Sequence, residues 1–312
     1  MSVVPWEREI QQILTTQTLK IQRASEQKQK GKCIALYGRT GVGKTELINR
    51  LAKTEYGRPM LYFNIDGGSW VLDNNDAYII DVVDYTDFST PMMKLSTSRK
   101  LPFKCIVVDN VSSLQVSNIT DIQGATGKSI QGSGMATQQQ WGMSTAQLLN
   151  VYHMLWVIAQ NQGIHVITTA WEDDRTNKVT NQTVRSGIGV TPSLARSLPG
   201  MMNMVGHITV KQGGVRVINF DTSPHSDAKM QRRQTKAELS VPLTIAYRDQ
   251  NILEDLLNSL VGGIEWPTDK YKGLAAQAKV DYATVTQDQP TGVETAVAQR
   301  LSDEQTAKED TT

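Results

Sequence analysis

Apolar residues in this chain gather into short runs separated by longer, mostly polar stretches. Cys33–Tyr37, Met60–Ile65, Ala77–Val83, Phe103–Val108 and Ile164–Thr169 each have the length of a strand. Their near-continuous hydrophobicity suits strands covered on both faces. The segment after Lys44 reads as a helix. Trp141, Leu148, Tyr152, Leu155 and Ala159 recur at helical spacing before the fifth run. Strands alternating with helices predict an α/β fold with a mostly parallel central sheet flanked by helices. After residue 200 the pattern changes. His207–Gln212 and Val215–Phe220 flank Gly213-Gly214, a hairpin signal. Ile252, Leu253, Leu256, Leu257, Leu260 and Val261 then define a short amphipathic helix stopping at Gly262-Gly263. Trp6, Ile10, Ile13, Leu14 and Ile21 give residues 1–30 a helical arm, packed on its own domain or on a neighbouring subunit. The division expected is therefore 1–30 arm, 31–263 core, and 264–312 extension, with a disordered, acid-containing tail from about residue 281.

Composition narrows the class without choosing a function. Hydrophobic residues make up 39% of the 312 and charged residues 20%, enough for a sizeable core. A net charge of +1 means that any basic surface is local. The two cysteines, Cys33 and Cys105, lie inside strand-like runs and are expected to be buried free thiols. The opening MSVVPWEREIQQIL lacks the layout of a signal peptide, and no stretch approaches the length of a membrane span. The expected location is the cytoplasm, with no membrane partner.

Gly38-Arg39-Thr40-Gly41-Val42-Gly43-Lys44-Thr45 satisfies G-x-x-x-x-G-K-[ST] between a strand and a helix. Glycines let backbone N–H groups turn toward phosphates, and the following helix N-terminus favours their charge. Lys44 supplies a cation for the β- and γ-phosphates, and the Thr45 hydroxyl is a magnesium ligand. The run Phe103–Val108 ends in Asp109, the position of the second magnesium-holding group. ATP and Mg²⁺ are thus the cofactors expected. Hydrolysis also needs a carboxylate to orient water. Asp109 is followed by Asn110 and not by an acid, so the candidate is Asp66, which follows the second run and precedes Gly67-Gly68.

With these residues in place the chain resembles the RecA-type recombinases, and more closely the phage-encoded, single-strand-annealing (Sak-type) ATPases, over roughly residues 33–262. The resemblance rests on Asn64-Ile65-Asp66-Gly67-Gly68, on Asp109-Asn110 with Ser112-Ser113, on Trp141-Gly142, and on Ile167-Thr168-Thr169-Ala170-Trp171. It implies a RecA-like core and a γ-phosphate sensor at Thr169, with Thr168 beside it. That family usually has Glu where this chain has Asp66, a shorter base. Ala228-Lys229-Met230-Gln231-Arg232-Arg233 resembles a stretch that reaches a neighbouring subunit's nucleotide, with Lys229 the preferred group and Arg232 and Arg233 left open.

The same resemblance makes residues 112–140 and 171–199 the DNA-binding loops. The first is nearly uncharged. The stretch 171–236 holds ten Lys or Arg against five acids, and Arg175, Lys178, Arg185 and Arg196 are the candidate DNA contacts. The function implied is an ATPase acting on single-stranded DNA in phage recombination or replication, by annealing or exchange, inside a bacterial host. Its expected partners are single-stranded DNA, further copies of the chain in a ring or filament, and a single-strand-binding or replication protein. A DNA-translocating or packaging motor, and a DNA-coating module with little hydrolysis, are the alternatives. A small-molecule P-loop kinase fits the late hairpin poorly.

Overall fold

Five runs of five or six residues form the parallel centre of the structure: β1 (Cys33–Tyr37), β2 (Met60–Asn64), β3 (Ala77–Asp81), β4 (Cys105–Asp109) and β5 (His165–Ala170). They line up in the order β1-β5-β4-β2-β3, all parallel. A computed structural model describes residues 30–72, 77–125, 136–176, 183–223 and 226–278 of the chain. The arm expected over 1–29 and the tail expected from about 281 lie outside the described residues.

Every residue of β1, β2, β4 and β5 is buried, because helices cover both faces. The two-residue period of a strand sorts the side chains between the layers. Cys33, Ala35 and Tyr37 face one layer with Ile106, Val108 and Phe63. Against them pack α2 (Tyr85–Thr97), α3 (Val111–Ala125), α4 (Gln138–Gln162) and α5 (Pro192–Met201). Ile34 and Leu36 face the other layer with Met60, Tyr62, Cys105 and Val107. There they meet α1 (Lys44–Ala52), α7 (Ile252–Leu260) and α8 (Thr268–Ala278), while α6 (Lys236–Leu239) is a single turn between. Both cysteines are free and buried, and burial pushes the Cys33 thiol up to about 12.

Beyond β1 the sheet continues through β8 (Met204–Val210), parallel to it, and β9 (Arg216–Asn219) and β11 (Thr244–Tyr247), each antiparallel to its neighbour. The two-residue β10 (Lys229–Met230) pairs with the start of β8. The hairpin expected around Gly213-Gly214 is therefore β8–β9, and the late amphipathic helix is α7. The expected fold class, a mostly parallel α/β sheet flanked by helices, is the one observed. Two expectations change. Residues 112–125 are helix α3 and not loop; buried Ser112, Gln115, Asn118 and Gln123 interrupt the apolar period by which a helix is recognised. Within 171–199, residues form a separate antiparallel pair, β6 (Glu172–Thr176) and β7 (Thr183–Ile188), followed by α5. Strands this polar carry almost no pattern of hydrophobicity to read.

Residues beyond Gly263 contribute to the α1 layer. Tyr271 of α8 is fully buried and stacks on Trp266 at 4.8 Å between ring centroids. The carboxylate of Asp255 in α7 accepts from Lys270 Nζ at 2.6 Å and from the Tyr271 hydroxyl. Tyr271→Ala is expected to cost about 3–5 kcal/mol, as a vacated aromatic site does. Urea unfolding would show a lower midpoint at unchanged slope. A loss under about 1 kcal/mol would place α8 outside the cooperative unit.

Candidate nucleotide site

The loop between β1 and α1 can turn sharply because Gly41 and Gly43 take positive φ values of 82° and 92°. That conformation strains any residue with a Cβ. Gly43 is also crowded: a Cβ there would lie 2.9 Å from the Arg216 side chain, whose Nε donates to Val42 O at 2.8 Å. Lys44 Nζ curls onto its own loop, donating to Gly38 O at 2.8 Å and Arg39 O at 3.1 Å. Burial lowers the Lys44 pKa, and the carboxylates of Asp109, Asp66 and Glu172 oppose that shift.

Register brings the two acids together. Asn64 of β2 pairs with Asp109 of β4, and Ile65 N donates to Asp109 O at 2.8 Å. Asp66 therefore leaves the sheet beside Asp109. Asp109 is 1% exposed and is satisfied by hydroxyls: Thr45 Oγ1 donates at 2.9 Å, and Tyr62 and Thr169 donate as well. Asp66 is held by Asn110 Nδ2 at 2.8 Å and Gly68 N at 3.1 Å. Burial, then the charge of Asp109, raises the Asp66 pKa, while its two hydrogen bonds and Lys44 oppose the shift.

A cavity of about 230 Å³ opens over these groups, lined by Thr40, Gly41, Gly43, Lys44, Thr45, Glu46, Asp66, Val71, Asp109 and Trp171. Among the described residues no cluster of three His, Cys, Asp or Glu could cage a metal. One threonine hydroxyl beside one carboxylate instead fits Mg²⁺ that arrives with phosphates and keeps waters. Residues 38–45 fit the phosphates and Thr45 and Asp109 fit the ion.

Other predicted residues lie elsewhere. Thr169 is fully buried behind Asp109, and its hydroxyl is spent on that carboxylate; it does not line the cavity. Lys229 pairs across β8 with Val205 and is not a lining residue. Arg232 donates to Val241 O at 2.7 Å, and Arg233 bridges to Glu238 at 3.3 Å. Arg185, expected on DNA, is ion-paired with the buried Asp227. Arg196 sits on α5 and donates to Pro192 O at 3.2 Å. The Arg175 side chain and Lys178 lie outside the described residues.

Sequence reading missed several supporting groups. Tyr62 is one; its position two residues before the end of β2 was the only signal. Asn110 is another: the sequence marks it as the neighbour of Asp109, and only the structure shows its amide orienting Asp66. The β6–β7 pair meets the phosphate loop through Arg39 and Asp174 at 3.1 Å. Beneath them Glu172 accepts from Ser186 Oγ at 2.6 Å and lies 2.9 Å from His207 Nε2, while the His207 ring stacks on Tyr37 at 4.6 Å. These contacts join residues far apart in sequence and leave no local motif.

A family model described as an AAA domain matches residues 30–231, more than half of the chain. No curated protein matches it significantly. Among solved structures, the RadB recombinase is similar at 15% identity and a TM-score of 0.43, over 71% of this chain and 89% of that one. A KaiC-like protein from the hyperthermophilic archaeon Pyrococcus horikoshii OT3 is similar at 14% identity and 0.35, over 61% and 78%. Likenesses this distant carry no weight for function.

The raised Asp66 pKa has a measurable sign. The native chain keeps a proton at pH values just above 3.8 that the unfolded chain releases, so this group's contribution to stability falls as pH rises through that window. Asp66→Asn is expected to melt no lower than the parent at about pH 7, the difference vanishing below about pH 4. ATP turnover should meanwhile drop about 100-fold or more. A variant clearly less stable at neutral pH would make Asp66 a structural anchor and not a strained functional group.

Proposed function

We propose that this chain, which belongs to the AAA-domain family, is an ATPase that acts on single-stranded DNA. It would work in phage-type recombination or replication, by annealing or exchange, as a self-assembled ring or filament. The observation that carries the ATPase reading is the meeting of Lys44, Thr45, Asp109 and Asp66 in one cavity at neighbouring strand ends. Backbone N–H groups of 38–45 and the α1 N-terminus would hold the phosphates, with Lys44 exchanging its loop carbonyls for phosphate oxygens. Bound Mg²⁺ supplies charge neutralisation at the β- and γ-phosphates, and Thr45 and Asp109 would hold it. Asp66 orients the attacking water and accepts its proton, aimed by Asn110. Thr169 and Tyr62 position Asp109.

Lys229 is our choice for the group that acts on a neighbour's nucleotide. Its side chain makes no hydrogen bond or ion pair among the described residues, whereas Arg232 and Arg233 are engaged. Burial lowers its pKa, a cost that a neighbour's phosphate would offset. The locally basic stretch 171–236 is the proposed DNA side. A second reading, a nucleotide-dependent DNA-coating module with slow turnover, draws on the shorter reach of Asp66 where the resembled family has Glu, with its carboxylate held by two hydrogen bonds.

ATP hydrolysis measured without DNA, with single strands and with duplex separates these readings. Stimulation by single strands is the expected result. Stimulation by duplex alone would indicate a motor, and tight ATP binding without turnover the coating module. Lys44→Ala should abolish ATP binding, and Lys229→Ala should cut turnover about 100-fold. Mixing the two inactive variants should restore part of the activity, since mixed assemblies contain one site with both residues. No recovery in a verified co-assembly would remove Lys229 from a neighbour's site.

A further inference from the structure

The nucleotide site occupies the C-terminal ends of the parallel strands, and the opposite rim carries a second feature. A groove of about 500 Å³ lies between the loop 98–104 and the end of α4, lined by Arg99, Lys100, Leu101, Pro102, Phe103, Lys104, Asn161, Gln162 and Gly163. Three of these residues are cations and none is an acid. Arg99, Lys100 and Lys104 are exposed, and none of them makes a hydrogen bond or ion pair through its side chain among the described residues. The loop that carries them is fixed. Leu101 N donates to Gln162 Oε1 at 2.8 Å, Gln162 Nε2 donates to Ser98 O at 3.0 Å, and the Lys104 backbone bonds Pro59 and His165 at 2.8 Å. The cations therefore stand on an ordered support while their heads remain free for a ligand.

Cations continue along the rim beyond the groove, where Glu55 and Glu254 act on Tyr56 beside His165. His165, at the start of β5, has its pKa pushed down to about 4 by burial and then by the charges of Lys32 and Lys104. The carboxylate acting on Lys32 is Glu238, which already pairs with Arg233. The last carbonyls of α4 contribute a partial negative charge, smaller than three full cations.

Aromatic rings stand beside the cations. Phe103 lines the groove, and Tyr78 of the edge strand β3 lies 5.8 Å from it in an edge-to-face arrangement while remaining 60% exposed. Free cations around one groove with an exposed aromatic ring beside it are the chemistry of single-stranded nucleic-acid binding, in which phosphates meet Lys and Arg and unstacked bases meet rings. An acidic peptide would use the cations and have no need of the rings; a duplex would leave the rings without a base to stack.

We infer that this groove binds the backbone of a single-stranded nucleic acid, with Arg99, Lys100 and Lys104 on phosphates and Tyr78 and Phe103 offering faces to bases. It is a second nucleic-acid surface, at the opposite ends of the strands from the nucleotide site, and it stands on its own residues whether or not ATP turnover responds to DNA.

The test uses the full chain and a labelled oligo(dT) of about 20 nucleotides, titrated from about 50 to 200 mM salt. The triple variant Arg99→Gln, Lys100→Gln, Lys104→Gln should bind at least about tenfold more weakly, with a salt slope shallower by about 2. Its basal ATP hydrolysis should be unchanged, which also reports that it has folded. Tyr78→Ala should weaken oligo(dT) about tenfold and leave inorganic polyphosphate unaffected. Parent-like affinity in the triple variant, or no binding of oligo(dT) by the parent, would overturn the inference. So would polyglutamate binding as tightly as oligo(dT) with the same dependence on the three cations, which would assign the groove to an acidic protein. Loss of DNA-stimulated hydrolysis in the parent, with groove binding intact, would count against the proposed function and leave this inference standing.

Discussion

A carboxylate at 1% exposure is costly to keep unless its oxygens are satisfied, and Asp109 sets the terms for everything around it. Three hydroxyls from three different elements converge on it: Thr45 from the first turn of α1, Tyr62 from β2 and Thr169 from β5. Each of those contacts fixes an element relative to β4. The phosphate loop is held against the sheet through Thr45, and the neighbouring strands are locked in register at the height where the chain leaves the sheet. Asp66 then emerges next to that carboxylate, and desolvation first, then the charge of Asp109, raises its pKa. The cavity brings Lys44, Thr45, Asp66 and Asp109 together, and those groups suit a site that receives a charged nucleotide with its ion.

The β6–β7 pair shows how the site extends past its core motif. It follows β5 directly, so the strand whose Thr169 touches Asp109 also delivers Glu172 and Asp174 to the outside of the phosphate loop. Arg39, at a variable position of the loop motif, is the residue that meets it. Contacts of this kind tie the loop's geometry to a surface element, which is the physical requirement for nucleotide state and surface state to influence one another.

A parallel sheet also has two unlike rims. Loops leaving the C-terminal ends gather carboxylates, hydroxyls and the phosphate loop, while those entering the N-terminal ends gather Lys32, Arg99, Lys100 and Lys104 with exposed aromatic faces. The polarity of the chain direction thus separates two charged surfaces by the length of the strands, and each can take an anionic ligand without competing for the same groups.

Much of this was readable before folding, for a reason that can be stated residue by residue. Cys33–Tyr37 is apolar throughout, and Met60–Asn64 and Cys105–Asp109 are apolar up to their last residue, because strands covered on both sides must be, and Gly41, Gly43 and Lys44 serve chemistry that tolerates little change. Local constraints leave local marks, so the sheet, the phosphate loop, the late hairpin and α7 were legible. The helix α3 was not, since polar Ser112, Gln115 and Asn118 fill its buried face, and the β6–β7 pair was not, since its strands are stabilised by partners and not by hydrophobicity. The roles of Tyr62 and Asn110, the engagement of Thr169 with Asp109, the ion pair that occupies Arg185, and the gathering of Tyr78, Arg99 and Lys104 on one rim are properties of juxtaposition. Sequence determined which strands and which phosphate-binding chemistry this chain possesses; only the tertiary structure decided which polar groups meet, because hydrogen bonds and charges act over a few ångströms in space without regard to separation along the chain.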